Sequence, residues 1–89
     1  MPHFVYLQRS LRNDRFYIGS SEDPEQRLVF HNAGHVRATR HQRPYQLVYT
    51  EMHGTRQEAR AREAGLKRQK SRAVLLELIN SAPSVSSAG

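Results

Sequence analysis

The chain has 89 residues, 37% of them hydrophobic, with no cysteine and fourteen Lys and Arg against eight Asp and Glu, a formal net charge of +6. That length allows one small domain with a modest core, and the missing cysteines exclude disulfides, zinc–thiolate centres and cysteine nucleophiles. Twelve of the fourteen basic residues are Arg, whose planar fork suits phosphate better than a lysine point charge, so a phosphate-rich polyanion is the expected partner.

Phe4 to Gln8 (Phe-Val-Tyr-Leu-Gln) and Arg15 to Ser20 (Arg-Phe-Tyr-Ile-Gly-Ser) are rich in aromatic and β-branched residues, the composition of strands. The turn formers Asn13 and Asp14 close the segment between them, which predicts an antiparallel hairpin with a longer loop than the tight two-residue type. Asp23-Pro24 opens a helix, because Asp offers an N-cap oxygen and Pro suits the first helical position. That helix should run to about Asn32, with Gly34 stopping it. Residues 35 to 44 hold His35, Arg37, Arg40, His41 and Arg43 before Pro44 and show no periodicity, so they read as a basic loop.

Gln46 to Glu51 (Gln-Leu-Val-Tyr-Thr-Glu) predicts a third strand, broken by Gly54. Thr55 with Glu58 three residues on has the spacing of a capping box, and the helix it starts should extend to about Lys70. Ser71 caps a further short helix with Val74, Leu75, Leu78 and Ile79 on one face. Residues 1–80 thus form one α+β domain, in which a three-stranded, mainly antiparallel sheet is flanked by three helices in the order β-β-α-β-α-α. Residues 81–89 are uncharged and should form a disordered tail. No apolar run nears the roughly 20 residues of a membrane helix, and the N-terminus lacks the pattern of a signal peptide. A cytoplasmic protein that makes no membrane contact is expected.

Three groups of residues stand out for their chemistry. Glu63 shares a helix face with Ala59, Leu66 and Lys70, and a carboxylate beside an apolar stripe is costly unless it is paired or binds a cation. A surface ion pair with Lys67, four residues on, accounts for the same residue. Arg27 and His31, also four apart, can together meet a phosphate, Arg by two hydrogen bonds and His by a bond or a proton. A solvated helix surface would carry the same pair. Tyr6 and Tyr17 sit one on each hairpin strand, where two rings can lie side by side as core aromatics. A phenol titrates near pH ~10 and becomes a base only with a cation nearby.

In order, Val5-Tyr6-Leu7, Tyr17-Ile18-Gly19, Arg27-Leu-Val-Phe-His31-Asn32, Thr39 to Pro44, and Ala59 to Glu63 with Leu66-Lys67 resemble the motifs of the GIY-YIG nucleases. The match runs from about Phe4 to Ile79. It is closest to the short, stand-alone bacterial type without added recognition domains. Phe4 and Val5 stand where the family name has Gly and Ile, which leaves the tyrosine in place. The resemblance implies a metal-dependent endonuclease that hydrolyses phosphodiester bonds, with DNA as the expected substrate, RNA as the other, and repair or recombination as the setting. It implies that Glu63 binds one divalent metal, Mg²⁺ or Mn²⁺, and that Arg27 holds the scissile phosphate. It further implies that Tyr6 or Tyr17, with His31, activates water, and that Gly19 allows close packing beside the site. Arg37, Arg40, Arg43, Arg62, Lys67 and Lys70 are the expected nucleic-acid contacts, mostly to phosphate, which favours recognition of structure over sequence. The alternatives are a non-catalytic nucleic-acid-binding module of the same fold and a basic RNA- or ribosome-associated protein of unrelated fold.

Overall fold

In the computed structural model, which describes residues 2–81, the two aromatic segments near the N-terminus pair with each other. Strands β1 (His3–Ser10) and β2 (Phe16–Ser21) are antiparallel, and β3 (Tyr45–His53) pairs antiparallel with the other side of β1, giving the order β2-β1-β3. Helix α1 (Pro24–Asn32) follows β2, and α2 (Arg56–Gln69) and α3 (Arg72–Ser81) follow β3. This is the α+β arrangement expected from the sequence. Residues 35–44, expected as a basic loop, contain a short 3-10 turn at Arg40–Gln42, and the Arg43–Pro44 peptide is cis.

The central strand is buried on both faces because alternate side chains point to opposite sides of the sheet. Val5 packs on Ala59 and Leu66, and Leu7 packs on Tyr49 and Leu75, with Ile18, Val74, Leu78 and Ile79 around them. Helices α2 and α3 therefore cover one face, and the apolar stripe of α3 faces the sheet as its spacing predicts. Tyr6 and Gln8 occupy the other face, against α1, where Tyr6 Oη lies 3.4 Å from His31 Nε2. A bulge in the β1–β3 pairing at Leu7/Gln8 shifts the register there.

The helix starts follow their capping residues. Asp23 Oδ1 accepts from Gln26 N at 3.1 Å, Thr55 Oγ1 from Glu58 N at 3.1 Å and Ser71 Oγ from Val74 N at 3.3 Å. Each bond satisfies one of the donors a helix start leaves free. Asn32 ties the end of α1 to the start of β3: its Nδ2 donates to Tyr45 O at 3.0 Å, and Tyr45 N donates to its Oδ1 at 2.7 Å. Ser81 closes α3, and residues 82–89 of the expected tail lie outside the described residues. Among the described residues no helix is long and apolar enough to cross a membrane.

Candidate active site

Tyr6, Tyr17, Arg27 and Glu63 come from β1, β2, α1 and α2 and line one cleft of about 380 Å³ beside β2, together with Gly19, Ser20, Arg60, Ala64 and Lys67. The two tyrosines are diagonal neighbours on the sheet rather than opposite each other: Tyr6 pairs with Gly19 and Tyr17 with Gln8, and the rings are 6.4 Å apart. The sequence motif spaces the tyrosines so that glycine, and not a second ring, stands across from Tyr6. A Cβ at position 19 would fall 2.5 Å from Tyr6 Oη. Gly19 thus admits the ring of Tyr6, where close backbone packing was expected.

His31 is fully buried behind these residues. Its ring lies 4.8 Å from that of Tyr17, 6.1 Å from Tyr45 and 6.5 Å from Tyr6. One ring nitrogen, Nδ1, is 2.8 Å from Thr39 Oγ1, and the other faces the Tyr6 hydroxyl. Spacing along α1 puts His31 on the face of Arg27, but its depth directs it to Tyr6 and away from the open cleft. Burial first, and then the charge of Arg27, lower the His31 pKa, so the ring is neutral at pH 7. Burial raises the Tyr6 phenol above its ordinary value of 10.0, against the pull of Arg27, so Tyr6 is protonated at neutral pH.

Arg27 is half-buried. Its guanidinium stands 4.9 Å from the centre of the Phe30 ring, a cation–π contact that restrains it. Glu63 is also half-buried: its Oε2 accepts from Lys67 Nζ at 2.7 Å, so the helix-surface ion pair and the cleft position occur together. No group of three or more His, Asp and Glu able to enclose a metal occurs among the described residues. A single carboxylate at the wall of an open cleft fits a hard cation that keeps most of its waters and borrows phosphate oxygens from the substrate.

The anticipated nucleic-acid contacts separate into two sets, with Arg62 in neither. Lys67 lines the cleft, and Lys70 lines the adjoining groove with Arg15, Phe16, Tyr17 and Arg72. Arg37, Arg40 and Arg43 are exposed on the loop before β3. Arg62 instead turns toward β3, where its Nε donates to Glu51 Oε2 at 3.0 Å. Arg60, which sequence reasoning passed over, lines the cleft, and a further pocket joins it to Arg27, Arg56, His3 and Ser20. The signal was present: Arg60 precedes Glu63 by three residues and so shares its helix face.

The GIY-YIG catalytic domain matches residues 2–76. The chain belongs to the GIY-YIG family. Its relatives include a UPF0213 protein of Staphylococcus saprophyticus, 38% identical over 66 residues that cover 73% of this chain and 79% of that protein. A UPF0213 protein of Streptococcus pneumoniae is 36% identical over 72 residues, 79% of this chain and 73% of the relative. The solution NMR structure of a UPF0213 protein from Bacillus halodurans resembles this fold with a TM-score of 0.54 at 28% identity, over 90% of this chain and 84% of that one. The chain covers about three quarters of each of the Staphylococcus and Streptococcus relatives.

Proposed function

We propose that this protein is an endonuclease that hydrolyses phosphodiester bonds in nucleic acid, DNA before RNA, with one divalent cation, Mg²⁺ or Mn²⁺, at Glu63. The observation that carries this reading is the convergence of Tyr6, Tyr17, Arg27 and Glu63, separated by up to 57 residues of chain, on one basic cleft.

Arg27 offers paired N–H donors to the scissile phosphate and stabilises the charge that builds there. The attacking water donates to Tyr6 Oη, while the phenol proton passes to His31 Nε2, the acceptor 3.4 Å away. The water oxygen bonds to phosphorus, and the bond from phosphorus to the leaving oxygen breaks, the leaving oxygen departing as an alkoxide that takes its proton from solvent. Burial keeps the Tyr6 phenol protonated, so it hands its own proton on as it takes the water's, and no phenolate need exist beforehand. Glu63 would hold the cation, which would supply Lewis acidity at the reacting phosphate. Lys67, freed from Glu63, turns to the nucleic-acid backbone beside Arg60. Contacts of this type read phosphate and shape, so cutting is directed by structure more than by sequence.

The Glu63–Lys67 pair at 2.7 Å favours a second reading, a binding module in which the carboxylate only anchors Lys67. End-labelled DNA and RNA in duplex, single-stranded, flap and junction forms, incubated with Mg²⁺ or Mn²⁺ and with chelator, separate the two. The nuclease reading expects cation-dependent cuts in at least one substrate. Tight binding without cleavage across the panel would favour the module.

A further inference from the structure

Thr39 belongs to the Thr-to-Pro motif of the sequence, and the scheme above gives it no task. It is 1% exposed, and its hydroxyl sits 2.8 Å from His31 Nδ1 and 3.4 Å from the carbonyl of Val36. On the far side of the imidazole, Nε2 faces Tyr6 Oη. The three polar side chains form one buried file that runs from the loop before β3 into the cleft.

We propose that Thr39 is a positioning residue that fixes His31 in its Nδ1–H tautomer, and that it thereby aims the Tyr6 hydroxyl proton at Nε2 and the Tyr6 lone pairs at the cleft. A neutral imidazole has one donor and one acceptor, and the partner of one nitrogen decides the role of the other. Two observations give the file the same polarity. At the cleft end, Arg27 lines the same wall as Tyr6 and its guanidinium carries donors only, so the lone pairs of Tyr6 turn to the cleft and its proton toward His31. At the loop end, the Val36 carbonyl gives the Thr39 proton a place to go, which leaves a Thr39 lone pair for Nδ1–H. Reversing the file would turn Nε2–H onto Tyr6 and push the phenol proton into the cleft, where it would oppose a water that has to donate. Thr39 lies on the same loop as Arg37, Arg40 and Arg43, so the segment that meets the nucleic-acid backbone also sets the polarity of the catalytic centre.

The proposal rests on the nuclease reading for its consequence, but its first test does not. Long-range ¹H–¹⁵N spectra of the ¹⁵N-histidine-labelled full chain at neutral pH report which His31 nitrogen carries the proton. The parent should show Nδ1–H, Thr39→Ser should keep it, and Thr39→Val should shift the ring toward Nε2–H. With the DNA substrate the parent cuts best, Thr39→Val should lose about 10- to 100-fold in kcat with little change in KM, and Thr39→Ser should recover most of it. An Nε2–H tautomer or an imidazolium in the parent overturns the proposal without any variant being needed. An unchanged tautomer in a folded Thr39→Val, or full cleavage by a Thr39→Val whose tautomer has changed, overturns it as well. If no substrate is cut, the nuclease reading fails while the spectra still decide the tautomer.

Discussion

The ring of Tyr6 lies across Gly19, its partner in the β1–β2 ladder, so closely that a Cβ there would come within 2.5 Å of the hydroxyl and 2.6 Å of Cζ. Gly19→Ala should therefore push Tyr6 out of line with His31 while leaving the strand pairing intact. A shift of about 1 Å in a reacting group costs on the order of 100-fold in rate. Cleavage should fall by that order, with circular dichroism unchanged. A Gly19→Ala protein that cuts at the parent rate would remove Tyr6 from the chemistry.

Arg27 is restrained by Phe30 and faces the cleft. Arg27→Lys keeps the charge and loses the fork. The rate should drop by about 100-fold or more, while affinity, spread over Arg60, Lys67, Lys70 and the loop arginines, changes little. Equal losses in rate and affinity would make Arg27 a general contact and not the ligand of the scissile phosphate.

What the sequence made legible is what local rules decide. The strands follow from Phe-Val-Tyr-Leu and Phe-Tyr-Ile, and the helix starts from Asp23-Pro24, Thr55 and Ser71, because capping and strand composition act within a few residues. The resemblance in five ordered blocks picked out four residues, Tyr6, Tyr17, Arg27 and Glu63, that the fold gathers in one cleft. Depth and pairing partners were not legible, since they depend on what tertiary contact supplies. His31 shares a helix face with Arg27 yet is buried among three tyrosines. Arg62 resembled Arg60 in the sequence, but only the fold brings Glu51 to it. Thr39 was a motif letter without a task until its hydroxyl met His31.

Gln8 illustrates the same gap in the energetics. Its side chain is completely buried, and neither amide atom has a hydrogen-bond partner among the described residues. A buried amide left unpaired costs about 1–3 kcal/mol. Gln8→Met keeps the length and removes the polar group, so it should raise the unfolding free energy by about 1–2 kcal/mol in urea melts. A clear loss of stability would mean that the amide does find a partner.

The buried His31 also sets a pH dependence. Burial, and then the charge of Arg27, lower its pKa from 6.5, so the unfolded chain takes up this proton first as the pH falls. The contribution of the neutral ring to stability is full above about pH 6.5 and is lost as acid is added below it. The urea midpoint of the parent should fall between about pH 7.5 and about pH 5.5. His31→Gln should start lower and fall less over the same interval. Parallel curves for the two proteins would show that His31 titrates alike in the folded and unfolded chain.

Glu63 decides between an enzyme and a binding module, because its carboxylate borders the cleft and also holds Lys67. Glu63→Gln keeps the shape and the helix and removes the charge. Cleavage of labelled DNA by this one variant, in Mg²⁺ or Mn²⁺ and beside the parent, is the most direct measurement. The nuclease reading predicts that cutting is abolished, while binding measured in Ca²⁺ persists or tightens and the melting temperature changes little. An ion pair with no catalytic part predicts near-normal cutting and a loss of only about 0.2–0.5 kcal/mol in stability. Full activity in Glu63→Gln would contradict the account.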